Sequence, residues 1–287
     1  MDKVVIRGPE DVEKLFSKKE EELFLMEETE FRARMRERCH HTLEIWLYTC
    51  LHDKTPLRAS QTNTADMFLR VWDKRGLSHD LPEYRFVSRL RALAEEVIAG
   101  RYPDLAEYAP RKLDENELAV FDSVIYGRRS VRHWDWEKRV PDEIIDKVLD
   151  SGLWAAHACN LQSIRYCVIR EESTPDLFKN SDIPGGPVHI LILQDKRCYL
   201  ANPLMPDYNK ILDCGAAGQN IVLSTHALGL GGTWLTFTSD KMRERIREAL
   251  KIGEEYDLMT YVDIGYPDQT PSAPDRISVQ EAVIRRV

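Results

Sequence analysis

The run Arg128-Arg129-Ser130-Val131-Arg132 is the densest cationic feature of the chain. Guanidinium forks and a hydroxyl at this spacing can surround a phosphate with charge-assisted hydrogen bonds. The same run would also suit a helix C-terminus, where cations complement the dipole. His157 is a titratable ring able to hand a proton to a substrate, or a polar residue with its own partners satisfied. Cys39, His40, His41 and Glu44 fall on one expected helix, and His40 and Glu44 have the i,i+4 spacing that a metal uses. No second cluster in the sequence supplies the remaining ligands, so no metal site is expected. Gly229-Leu230-Gly231-Gly232 ends a helix and precedes a strand, the reverse of a phosphate-cradling order.

Helices and strands must position these groups. From Pro9 to Gly100 the chain is charge-rich and helix-periodic. Leu43, Trp46, Leu47, Cys50 and Leu51 mark one buried helix face, and Phe86, Leu90, Leu93 and Val97 another. A shorter helix is expected over Asn63–Asp73, and a boundary in the Pro110-containing stretch from Tyr108 to Asp114. Helices then read at Glu115–Tyr126, Pro141–Trp154, Asp207–Leu228 and Asp240–Leu250. In the long third one the inward face is read as Tyr208, Ile211, Leu212, Gly215, Ala216, Val222 and Leu223. Strands read at Tyr166–Ile169, Val188–Leu193, Thr233–Phe237 and Leu258–Ile264. The expected domains are residues 1–114, all-α, and 115–287, mixed α and β.

Composition bounds the partners. The 287 residues carry 40 Lys and Arg against 48 Asp and Glu, a net charge of −8, which argues against nucleic acid as the main partner. Six cysteines without a CxxC pair fit a reducing compartment. The opening MDKVVIRGPEDVEK has charge where a signal peptide needs an apolar run. Polar residues interrupt the longest uncharged stretch, Cys214–Ser239. A cytoplasmic protein without membrane contact is expected.

Taken in order, five segments resemble the FMN-dependent nitroreductase family. They are Arg128–Arg132, Val140–Ile145, Trp154–Gln162, Gly215–Ile221 with Ala227–Gly231, and Asp263–Pro267 followed by Arg276. Residues 1–115 lie outside the resemblance. The resemblance implies an α+β fold, a nitroreductase-like central mixed β-sheet flanked by helices, here preceded by an all-α N-terminal region. It implies a homodimer with FMN at the subunit interface and an oxidoreductase drawing on NADH or NADPH to reduce a small electron-poor organic substrate. The other reading is a non-catalytic flavin-binding module with a helical interaction domain.

Carried over by position, Arg128, Arg129, Ser130, Arg132 and Arg276 would hold the FMN phosphate and ribityl chain. Asn160 and Gln162 would address the pyrimidine edge, the main chain at Leu235 and Thr236 would pass the flavin N5, and Trp234 and Phe237 would line the substrate pocket. His157 is the candidate catalytic side chain, in an Ala156-His157 pair where the family commonly has Pro-Ser. The connection from Glu171 to Pro187 is too short for the helical roof that relatives place there, which argues against iodotyrosine deiodination. Ser130, where flavin-cleaving relatives have aspartate, argues against that activity. The N-terminal region is expected to supply the missing wall, with Trp46, Tyr48, Phe68 and Trp72 available to line it.

Overall fold

The computed structural model describes residues 9–179 and 185–287. Residues 180–184, part of the short connection noted above, lie outside the described residues. The helical region comprises α1 (Pro9–Phe16), α2 (Glu20–Leu25), α3 (Glu28–Cys39), α4 (Ile45–Asp53), α5 (Asn63–Lys74) and α6 (Pro82–Ile98). Leu23, Phe31, Met35, Leu43, Leu47, Phe68, Trp72, Leu90 and Val97 form its core. Each buried Leu or Phe contributes roughly 1.5–3 kcal/mol. Phe31 meets Phe68 and Trp72 with ring centroids 5.6 and 5.9 Å apart.

A π turn at His40–Glu44 joins α3 to α4. Its wider hydrogen-bonded loop rotates the following turn, so Trp46, read as part of the buried stripe, is instead 53% exposed. The four aromatic residues available for the pocket wall divide between core and surface. Phe68 and Trp72 are internal core, while Trp46 and Tyr48 face outward.

Beyond a connection with one 3₁₀ turn at Ala106–Tyr108, the second region runs through α7 (Glu115–Gly127), α8 (Asp142–Leu153), β1 (Ile164–Arg170) and β2 (Val188–Asp195). It continues with α9 (Lys196–Tyr199), α10 (Tyr208–Ala227), β3 (Gly231–Leu235), α11 (Asp240–Leu250), β4 (Tyr256–Gly265) and α12 (Val279–Ala282). The sheet order is β1-β2-β4-β3 with antiparallel pairing throughout. A parallel bridge between Ser130 and Gly232 adds the arginine segment at the β3 edge.

Strand β2 is buried along its whole length because both sheet faces are covered. Its Ile190 and Ile192 join the layer of α8 and α10, and its Leu191 and Leu193 pack with Phe178, Met242 and Ile246 on the α11 side. This is the two-residue period of a strand read as an unbroken apolar run.

Helix α10 turns Cys214, Ala217, Gly218, Ile221 and Val222 inward. Gly218 is required there, since a Cβ would stand 2.7 Å from the Trp234 ring. Tyr208, Ile211 and Leu212, assigned to the inner face by periodicity, are exposed. Helix α7 buries none of its residues, although it carries Leu118, Val120, Phe121 and Ile125.

The helical region docks on the second through α3. Ala33 packs with Leu161, Cys198, Tyr199 and Ala201. Arg34 Nη2 donates to Leu200 O at 2.8 Å and Arg36 Nη2 to Leu161 O at 2.7 Å. Arg36 is buried and ion-paired with Glu83 of α6, which Arg32 also engages at 3.1 Å.

Candidate functional site

Helix α7 stops at Gly127, and Arg128 leaves it in an extended conformation. The chain then follows the β3 edge. Val131 N–H donates to Gly232 O at 3.3 Å, and Thr233 Oγ1 donates to Val131 O. Gly231 makes this approach possible, because a Cβ would lie 2.7 Å from Val131 Cβ. Asp135 N–H reaches Tyr266 O at 2.9 Å, and Arg132 N–H reaches Gln269 Oε1 at 2.8 Å. The register buries Val131, leaves Ser130 half-buried and turns Arg132 to solvent.

Arg276, from the far end of the chain, lies close enough for its charge to act on Arg128. Burial pushes the Arg128 guanidinium below its ordinary value, and the charges of Arg129 and Arg276 push it further in the same direction. Among the described residues none of Arg128, Arg129, Arg132 and Arg276 has a carboxylate partner in ion-pairing range. Arg129 Nη1 is held instead by the carbonyls of Tyr126 and Arg128, at 2.7 and 2.8 Å. Mutually repelling cations without a counter-charge favour an anion, and the donors fit a phosphate.

A second cluster sits on the strap between α8 and β1. Cys159, Asn160 and Gln162 all adopt left-handed backbone conformations, with φ of 45°, 51° and 49°. For residues with side chains each costs about 1–3 kcal/mol, so the surroundings must hold the strap. Asp213 Oδ1 of α10 accepts from Ala158 N–H at 3.0 Å, while its Oδ2 faces His157 Nδ1 at 3.1 Å and also accepts from Tyr199 OH. Ser163 N–H donates to His157 Nε2 at 3.2 Å. That nitrogen is therefore an acceptor, and the ring proton sits on Nδ1 towards Asp213. Burial holds the His157 pKa below the ordinary imidazole value despite the nearby Asp213 carboxylate. The ring is neutral, 10% exposed and occupied at both nitrogens. Gln162 Nε2 donates to Asn160 Oδ1 at 3.0 Å, which fixes the two amides as a pair.

The β3 end contributes less uniformly. Trp234 donates from its indole N–H to Thr260 Oγ1 at 2.7 Å and lies over Gly218. Leu235 is buried and Thr236 exposed. Phe237 packs on Tyr261 at 5.4 Å, within the α11 core. A cavity of about 280 Å³ opens beside the strap, lined by Arg32, Arg36 and Glu83 from the helical region and by Leu153, His157 and Gln162 from the second.

The two clusters occupy opposite ends of α10. Gly127, next to Arg128, abuts His226, whereas the strap is anchored on Asp213. Those two α10 residues are separated by about 20 Å at 1.5 Å per residue. Asp213, Tyr199 and Arg36 were not singled out in the sequence. The available signal was a carboxylate inside the small-residue face of α10.

The Nitroreductase family model matches residues 125–181 and 173–266. A protein of Archaeoglobus fulgidus described as "Putative NADH dehydrogenase/NAD(P)H nitroreductase" is 30% identical over 152 residues, covering 50% of this chain and 83% of that one. Its namesake in Methanothermobacter thermautotrophicus is 29% identical over 168 residues, covering 55% and 85%. A crystal structure from Desulfovibrio desulfuricans, "a putative nitroreductase in complex with fmn", superposes with a TM-score of 0.51 at 25% identity, over 61% of this chain and 99% of that one. With the sheet, the helices on its faces and these matches, the chain belongs to the nitroreductase family.

Proposed function

We propose that the protein is an FMN-dependent, NAD(P)H-linked oxidoreductase acting on a small electron-poor organic substrate. The observation that carries this reading is the Arg128–Arg132 segment laid along the β3 edge, its arginines without a carboxylate partner among the described residues. In this reading Arg128, Arg129, Ser130, Arg132 and Arg276 hold the FMN phosphate and ribityl chain. Asn160 and Gln162 present their paired amides to the pyrimidine edge, and the main chain at Leu235 and Thr236 passes the flavin N5. When bound, FMN supplies the redox chemistry, and the protein contributes placement and electrostatics. Trp234 offers an apolar wall. His157 positions the strap, since both of its nitrogens are committed.

The separation of the two clusters along α10 supports a homodimer, in which one flavin meets the arginines of one protomer and the strap of its partner. The exposed apolar residues point the same way. Trp154 is 82% exposed and Tyr126 72%, and Ile211, Leu212, Ile277 and Ile284 are also uncovered. Monomers seldom leave that much apolar surface open. Residues 115–287 then form the flavin domain, and 1–114 a helical extension that walls the cavity beside Gln162.

The purified protein is expected to be yellow, with a flavin absorption spectrum that bleaches under NADH or NADPH and recovers on adding a nitroaromatic or quinone. A protein that FMN cannot reconstitute would refute the reading.

A further inference from the structure

His40 and His41 are consecutive but face different partners. His40 Nδ1 lies 2.8 Å from Glu44 Oε2, the i,i+4 pair visible in the sequence. His41 Nε2 lies 3.2 Å from Cys159 Sγ on the strap and 3.5 Å from Glu37 Oε1 on α3. One ligand atom from each of Glu37, His41 and Cys159 falls within 4.8 Å of the others. The second source of ligands, missing from the local sequence, is thus a cysteine brought in by the fold.

We propose that Glu37, His41 and Cys159 form a zinc site that clamps the helical region onto the strap. A thiolate, an imidazole and a carboxylate are each ligand types that zinc accepts. With Zn–S near 2.3 Å and Zn–N or Zn–O near 2.0–2.1 Å, neighbouring tetrahedral ligand atoms stand about 3.3–3.6 Å apart. The His41–Cys159 and His41–Glu37 separations of 3.2 and 3.5 Å are close to this, and the Glu37–Cys159 edge, within 4.8 Å, is the one that binding would draw in.

The surroundings orient the ligands. Glu37 is fully buried, and Arg38 grips its two oxygens from Nη2 at 2.8 Å and Nε at 2.5 Å. Asn202 Nδ2 lies 2.9 Å from Glu37 Oε1 and 4.0 Å from Cys159 Sγ. Outer partners of this kind hold a ligand set in place. On binding, the metal takes the Cys159 sulfur and the His41 Nε2 lone pair, and the thiol proton leaves to the buffer. His41 keeps 39% of its side chain exposed, which provides an entry path and leaves the fourth position to water.

The test uses the full chain, stripped with chelator and then dialysed against zinc. Metal analysis is expected to give one zinc per chain, and X-ray absorption one sulfur neighbour near 2.3 Å. Cys159→Ser is expected to lose the sulfur shell, and His41→Gln to keep it. Each should weaken affinity by at least about tenfold, the lower range for losing even an outer partner. Circular dichroism checks folding, and if Cys159→Ser does not fold, the affinity of the half-exposed His41→Gln variant decides. Substoichiometric zinc, a shell without sulfur, or equal affinity in wild type and His41→Gln overturns the proposal.

Discussion

Arg128 is pressed by two like charges and by burial, so an anion that bridges the guanidiniums relieves a cost already present in the fold. A charge-assisted hydrogen bond contributes about 1.5–3 kcal/mol. Arg128→Ala is therefore expected to weaken FMN roughly tenfold to 150-fold with the fold intact, read by flavin fluorescence titration of the apoprotein. Unchanged affinity counts against the phosphate assignment. Two histidines act in opposite senses on stability. Burial lowers His157, so its contribution is complete above the ordinary value of 6.5 and drains away as pH falls through the depressed one. Burial alone would lower His189 too, but Asp263 at 2.6 Å and Glu171 at 2.8 Å outweigh it and raise the pKa. Its contribution is complete below 6.5 and is lost as pH rises through the raised value. Urea unfolding between about pH 5 and 8 should show the acid limb flattened in His157→Gln and the alkaline limb flattened in His189→Gln. Limbs of unchanged slope in both variants would contradict these assignments.

Among the elements, α3 has the most to hold. It binds the strap through Arg36 and Ala33, and α6 through the Glu83 carboxylate shared by Arg32 and Arg36. Removing Glu83 strands a buried Arg36, and an uncompensated buried charge costs about 3–5 kcal/mol. Glu83→Leu is expected to lose about that much in denaturant unfolding. A loss below about 1 kcal/mol, the range of an exposed pair, would show that α3 is held by apolar packing alone. Because Arg36 also caps Leu161 O, the strap that carries Asn160 and Gln162 should loosen with it, visible as faster amide exchange at residues 158–163.

At the scale of the whole molecule, the exposed apolar faces of α7 and α10 are the proposed dimer interface. Leu212 is exposed on α10 with Tyr208 and Ile211, and no described residue of its own chain buries it. Leu212→Lys places a charge in the proposed interface. It is expected to move the protein from dimer to monomer in sedimentation and to release flavin together with the dimer. A variant that sediments like wild type and stays yellow would place the interface elsewhere.

Much of this protein was legible in the sequence because helix and strand periodicities are local. The spans of α5, α8, α10, α11 and the four strands follow from spacing, capping and apolar runs, and the Arg128–Arg132 run was visible as a donor set. Periodicity, however, describes a helix about its own axis and does not say which side has a partner. Tyr208, Ile211 and Leu212 therefore read as core although they are exposed, and a π turn was enough to carry Trp46 outward. Pairings between distant residues carried no local trace. Asp213 under His157 and Cys159 against His41 exist because folding closes long loops, repaid by burial and hydrogen bonding at the contact. The sequence by itself determined the main elements, the cationic Arg128–Arg132 run and the family. The tertiary structure alone decided which charges meet, which apolar faces stay open, and that the helical region grips the strap.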